Sequence, residues 1–327
     1  MQLKHSTKHY LTLLGKLILL AGCVVYLFNG VDLERLTTAI GRYHNGKILL
    51  VVCVMASGFV LMGFRLWDLA QGALSLAKSV LAEFYGFFVN NVLPARLGEM
   101  AKIVYLYKEG GIEASRGTEL VFWERFADLN VFLFLVVFSA IMTQTLAIVV
   151  PFGILALIIW GLLIFFFLRP NSVYRFIRII PGHKVEDFVR SFLEYIQSRT
   201  GASGYAKLLF FSLLIWLEHL TEIFLIIFWI AVFDLTWTQG FVVFALTLTG
   251  LSIPLAPAGL GVVDSAIVFS LGLYGVGHNE ALAASLLWRF MQYAITLATA
   301  LVVMLRYGAG LKEVWKRRKA QAVGERV

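Results

Sequence analysis

Two cysteines in 327 residues cannot build a disulfide framework, and both, Cys23 and Cys53, sit inside apolar runs. They are expected as free thiols that pack as small apolar side chains. Charge is scarce as well. Only 15% of residues are charged while 60% are hydrophobic, and the mean hydropathy is +0.82. One soluble core of this length could not hide so much apolar surface, which excludes a soluble globular domain. A nucleophile elbow, a zinc-ligand spacing and a phosphate-binding P-loop are all missing. The Gly-x-Gly pairs at 259–261 and 275–277 lack a strand and crossover and carry no nucleotide meaning. No catalytic residue, metal or cofactor is expected.

What the chain does have is apolar runs of membrane length. A helix rising 1.5 Å per residue needs about twenty residues to cross roughly 30 Å of hydrocarbon. Windows near 11–30, 47–66, 127–145, 147–168, 207–233 and 282–305 meet that requirement and predict six full spans. Leu20-Ala21-Gly22-Cys23 behind a basic start is similar to a lipoprotein processing box, but the run continues apolar through Phe28, as a membrane anchor does.

The net charge of +8 is distributed in a way that argues against nucleic acid. Arg169, Arg175, Arg178, Lys184, Arg190, Arg199 and Lys207 fill the longest loop, and Lys312, Lys316, Arg317, Arg318 and Lys319 fill the tail. The connections 142–151 and 231–240 carry neither lysine nor arginine. The positive-inside rule then places both termini and the 169–207 loop in the cytoplasm, with a bacterial inner membrane as the expected location. Amphipathic segments around 173–180 and 185–196 are expected against an anionic lipid surface.

This orientation leaves two segments that must enter and leave by the same side. Residues 67–126 start and end inside, and 240–277 start and end outside. Each is expected as a re-entrant helical hairpin, at 79–107 and 241–273. The tips are Pro94-Ala95-Arg96-Leu97-Gly98 and Pro257-Ala258-Gly259-Leu260-Gly261, identical at four of five positions. Proline removes a backbone donor and glycine accepts positive φ, so both tips are expected to be non-helical. A second anchor follows each tip, Trp123-Glu124-Arg125-Phe126 and Trp288-Arg289-Phe290. The spacing from Pro94 to Arg125 is 31 residues, and from Pro257 to Arg289 it is 32.

These matches predict an inverted repeat in an all-α polytopic membrane protein, the arrangement of many secondary transporters. The alternative is that proline and glycine recur without common origin. The expected divisions are a first membrane half at 1–168, an amphipathic cytoplasmic linker at 169–206, a second membrane half at 207–307 and a basic tail at 308–327.

Arg125 and Arg289 are expected inside the membrane, where a charge facing lipid costs at least about 2.5 kcal/mol, so both should face the interior. Two readings stand for them. Arg125 pairs with Asp128 or Glu99, and Arg289 with Asp264, to knit hairpins to spans; or at least one arginine is available to a phosphate. Helices beginning after Gly98 and Gly261 would aim free N–H groups at mid-membrane, and Arg96 adds a full charge at one tip. Glu99, in the first turn after Gly98, either balances that helix dipole or couples an ion. Glu218, His219 and Glu222 fall near the middle of the fifth span, with the glutamates sharing a face. They are candidates for proton coupling, with pairing to Arg289 or Arg125 as the alternative.

Asn91-x-x-Pro94-x-Arg96-x-Gly98-Glu99, Glu124-Arg125-x-x-Asp128, Pro257-x-Gly259-x-Gly261 and the late Arg289 resemble the membrane domain of lysylphosphatidylglycerol synthases and its stand-alone relatives, across roughly residues 10–305. The resemblance implies a flippase-like translocator that moves an anionic or aminoacylated phospholipid, or a lipid-linked glycan carrier, between leaflets. It implies substrate contacts at Asn91, Pro94, Arg96, Gly98, Glu99, Arg125, Asp128, Pro257, Gly259, Gly261, Asp264 and Arg289, which would line a central polar cavity. Ala258 and Asp264 depart from the glycine and glutamate common at those positions. The synthases carry a soluble catalytic domain after the membrane part, whereas a short basic tail follows Tyr307 here, so aminoacyl transfer by this chain is not expected. Membrane lipid is the expected substrate, with a homo-oligomer or a lipid-biosynthesis protein as partner. A lipid-headgroup transferase using Glu218 and His219, an ion-coupled carrier of a small anion, and a non-transporting partner of a biosynthetic complex remain as alternatives.

Overall fold

A computed structural model describes residues 20–92, 97–142, 202–252 and 259–298, with scattered positions between 150 and 190 and Leu301. The span expected at 147–168, the linker and the basic tail therefore lie largely or wholly outside the described residues. Every regular element described is helical. In chain order these are α1 (20–28), α2 (Leu33–Gly41), α3 (Asn45–Leu69), α4 (Leu76–Val92), α5 (Gly98–Gly110) and α6 (Ala114–Met142). After the loop follow α7 (Ala202–Phe224), α8 (Trp237–Ser252), α9 (Val262–Gly272) and α10 (His278–Ala298). The chain is an all-α membrane protein. Gly46–Leu69, Ser203–Ile230 and His278–Ala298 are long and apolar enough to cross a bilayer, at 24, 28 and 21 residues.

The ends of these helices have local causes. Asp32 caps α2 by accepting from the N–H groups of Glu34 and Arg35 at 3.0 and 3.2 Å. Gly111, at φ 64, ends α5 in the left-handed conformation and lets Ile112 N–H reach the Leu106 carbonyl at 3.3 Å. Helix α7 widens into a π-helical turn at Leu225–Ile230 before the chain leaves it.

Contacts between ends give the bundle its direction. Lys47, at the start of α3, donates to the Trp229 carbonyl at the end of the α7 segment, at 2.6 Å, and its ammonium lies over the Trp229 ring. Lys207 near the start of α7 pairs with Asp68 at the end of α3. Helices α3 and α7 are therefore antiparallel. His278, at the start of α10, bonds the Leu27 carbonyl at 2.9 Å, and Asn279 accepts from Asp32 N–H at 3.1 Å.

Two helical hairpins complete the fold. In the first, α4 and α5 run antiparallel, with Glu83 against Lys102 and Lys78 bonded to the Glu109 carbonyl at 2.7 Å. Its base lies beside the Asp68–Lys207 end of the bundle, because only residues 70–75 separate α3 from α4. In the second, α8 and α9 meet closely where Gly250 touches Val263 and Ala266. Its base follows the π-helical turn, at the Lys47–Trp229 end. The two hairpins thus rise from opposite ends. At 17, 13, 16 and 11 residues their arms are about 17–26 Å long, shorter than the roughly 30 Å of a hydrocarbon layer.

The first hairpin closes backbone to backbone at one point. A Cβ on Gly98 would run into the Gly86 carbonyl oxygen and the Asn90 carboxamide, so only glycine permits that approach. The first arm also packs on α3, through the stacked Phe59 and Phe84 rings at 4.2 Å and the close approach of Gly63 to the Val80 backbone. The outward faces stay apolar: Leu49, Trp67, Phe134, Phe210, Phe290 and Leu297 are exposed. Water would penalise such a surface, whereas hydrocarbon does not.

Candidate functional site

The first polar cluster forms where α3, α4, α5, α6 and α7 converge. Lys102 on α5 lies 2.5 Å from both Glu83 on α4 and Glu124 on α6, and all three are buried. Arg65 on α3 pairs with Asp128, donates to Ser212 on α7 at 2.8 Å and sits 3.8 Å from Glu124. One turn before Asp128, Arg125 reaches both Glu99 at 2.5 Å and Asp128 at 3.4 Å. The cluster therefore alternates charge along a chain of contacts, from a dry interior at Lys102 to an open edge. Side-chain exposure is 3% at Lys102, 4% at Arg65, 15% at Asp128 and 55% at Arg125.

The second cluster is smaller and closed. Arg289 on α10 clamps Asp264 on α9 with two contacts, Nε to Oδ1 at 2.8 Å and Nη2 to Oδ2 at 2.7 Å. Asp264 also accepts from Ser285 Oγ and from Gly261 N–H, each at 2.9 Å. Both carboxylate oxygens are thus engaged. Gly261 at φ 79 and Gly259 at φ 66 turn the chain into the first turn of α9 in a conformation open to glycine and strained for other residues. Side-chain exposure here is 8% for Arg289 and 5% for Asp264.

The third cluster lies in α7. His219 Nδ1 stands 3.0 Å from Glu218 and 3.6 Å from Glu222, and Glu222 accepts from Trp288 Nε1 at 3.3 Å.

Set against the sequence reading, the structure brings Glu99, Arg125 and Asp128 together as the pairing alternative has it, and Asp264 with Arg289 likewise. Asn91 donates to Thr296 on α10 at 3.2 Å, and Gly98 N–H is taken by Asn90 at 2.7 Å. Pro94, Arg96 and Pro257 lie outside the described residues. Glu218 and Glu222 meet His219 and Trp288, not the arginines on which the pairing alternative rested. The hairpin tips that would bound the expected central polar cavity, at 93–96 and 253–258, lie outside the described residues. A cavity of about 10 Å³ between Ile223, Ile227, Val243, Ile267 and Trp288 has an almost wholly apolar lining, which lacks the polar partners that hold a buried water.

Sequence reasoning missed Arg65, Lys102, Glu83 and Ser212. A signal was present, because Glu124 and Asp128 are four apart on one helix face, and two carboxylates at that depth demand cations. Arg65 and Lys102 were the intramembrane cations left unassigned.

An all-helical integral membrane protein with opposed helical hairpins, each tied by an arginine–carboxylate pair to the helix that follows, is the class these features define. Residues 13–300 match the model of the lysylphosphatidylglycerol synthase TM region, and the chain belongs to that family. It is also similar to the UPF0104 membrane protein MJ1078 of Methanocaldococcus jannaschii, at 28% identity over 215 residues, or 63% of this chain and 88% of that protein.

Proposed function

We propose that this protein moves an anionic or aminoacylated phospholipid, or a lipid-linked glycan carrier, between the leaflets of the cell membrane. The observation that carries the reading is the ion pair of Glu99 and Arg125. Its arginine is half exposed on a helix inside the bundle, beside the tip of the first hairpin. An arginine in that setting finds a favourable partner in a lipid phosphate, whose oxygens match the guanidinium fork. Met100, Val104 and Tyr107 are exposed along the adjoining face of α5 and offer an apolar track for acyl chains.

In this account the headgroup exchanges with Glu99 as the partner of Arg125, and the buried network from Arg65 to Lys102 holds α6 against both hairpin arms. The opposed hairpins dip into the bilayer as re-entrant elements of an inverted repeat, and rocking of one half against the other moves the headgroup. Arg96 and Pro94 at the first tip, with Pro257, Gly259 and Gly261 at the second, complete the polar path. Six spans, cytoplasmic termini and a plasma-membrane location follow from the same reading. The substrate enters from the lipid phase, and a second copy of the chain or a lipid-biosynthesis protein is the expected partner. No nucleic acid takes part.

Vesicles containing the purified protein and fluorescent or lysylated phosphatidylglycerol test the proposal. Protein-dependent exchange of the lipid between leaflets, with unchanged lipid mass, is expected. An altered lipid mass would identify a transferase instead, and no exchange with any of several anionic lipids would remove the transport reading.

A further inference from the structure

We propose that Glu218, His219 and Glu222 form a binding site for a first-row divalent cation. Three donors on one helix would not suffice, since acidic groups cluster without ligands in many proteins. Here the geometry adds more. One ligand atom from each residue lies within 4.8 Å of the other two, and His219 Nδ1 is 3.0 and 3.6 Å from the two carboxylates. Donors bound at about 2.0–2.2 Å around one metal stand roughly 3.0–3.5 Å apart, so these edges suit coordination.

The Glu218 carboxylate is the second, independent observation. Glu218 is 7% exposed, and neither of its oxygens has a hydrogen-bond partner among the described residues. His219 Nδ1 lies 3.0 Å away yet is not aligned to donate to it. Lone pairs of a buried carboxylate without a donor are costly, and a cation is what satisfies them. The carboxylate rests against Gly58 near the middle of α3, where a Cβ would collide with it. Glycine at that position keeps room for the group.

Charge makes the same demand. With a divalent cation bound, two ionised carboxylates and an imidazole lone pair make a site of zero net charge, which an apolar bundle can hold. Two oxygens and one imidazole nitrogen suit the borderline metals zinc and cobalt, or the harder manganese, more than a soft monovalent ion. Trp288 Nε1 holds Glu222 Oε2, which leaves Oε1 facing His219, the role of an outer partner that orients a ligand. His219, at 31% side-chain exposure, supplies the entry side.

The test uses the purified full chain in detergent, stripped with chelator and titrated with Co²⁺. Expected are visible d–d bands that saturate near one equivalent, and one equivalent of zinc by elemental mass spectrometry after reloading. His219→Ala abolishes the bands. Gly58→Ala pushes only the mobile end of Glu218, so it weakens Co²⁺ by roughly tenfold or more while the protein stays monodisperse. That variant keeps the proposal open to refutation even if the glutamate variants fail to fold. Absence of saturable binding, or binding equal in wild type, His219→Ala and Gly58→Ala, overturns the site and leaves protons as its only occupants. The titration is independent of lipid exchange, so failure of one reading does not decide the other.

Discussion

Arg289 holds Asp264 through two short contacts in a closed pocket, whereas Arg125 holds Glu99 with half of its side chain exposed. Both pairs do the same mechanical work. Each joins the first turn of a hairpin's return arm to the helix that follows, so the two halves repeat a construction as well as a motif. They differ in solvent access, and that difference separates a structural staple from a pair able to exchange partners.

The closed pair predicts a stability effect. Arg289→Ala leaves Asp264 buried beside Ser285 and Gly261 without its cation, at an expected cost of about 3–5 kcal/mol. Thermal unfolding in detergent should show a large fall in Tm. The double variant Arg289→Met with Asp264→Leu should recover most of it, since an apolar pair of similar volume often replaces a buried ion pair without loss.

The open pair predicts the reverse balance. Arg125→Ala should cost about 1 kcal/mol or less, because its side chain is half exposed, yet it should reduce retention of anionic lipid seen by native mass spectrometry. Lys102→Met, by contrast, strands Glu83 and Glu124 against each other and should cost about 3–5 kcal/mol. Equal stability losses in the two variants would contradict the graded burial of the network.

Backbone contact at Gly98 gives a third expectation. Gly98→Ala must part α4 from α5 where Gly86 and Asn90 crowd the site, costing about 1–3 kcal/mol as an overpacked contact does. Accelerated proteolysis near residues 93–97 would report the opened hairpin.

Topology can be checked by labelling. In a background free of Cys23 and Cys53, Asp68→Cys and Lys207→Cys should cross-link to each other. Lys47→Cys should react with an impermeant thiol reagent only from the opposite side of the membrane to Asp68→Cys. Labelling from one shared side would contradict the antiparallel course of α3 and α7.

Much of the fold was readable along the chain. The spans expected at 47–66, 207–233 and 282–305 correspond to α3, to α7 with its π-helical turn, and to α10, and the hairpin arms fall within a few residues of their expected ends. Helix α6 begins at Ala114, beside the helix start near Ser115 that an intramembrane Arg125 implies, and so reaches well ahead of the apolar window at 127–145. Arg116, Glu119 and Glu124 lower the hydropathy of that stretch, but each is paired, Arg116 with Glu119 at 3.1 Å and Glu124 with Lys102. A hydropathy window counts the cost of a charge and cannot see the partner that cancels it.

Local quantities were enough for the membrane class and for the long apolar helices α3, α7 and α10, because transfer energies add along a segment, and for the turn at Gly259 and Gly261, because glycine acts on its own φ. Partner choice is not additive in that way. Arg65 meets Asp128 across 63 positions of sequence and Ser212 across 147, and Glu218 lies against Gly58. Such contacts depend on how helices cross, which the packing of the whole bundle sets. Which arginine is closed, which is open, and which carboxylate is left without a donor were decided there.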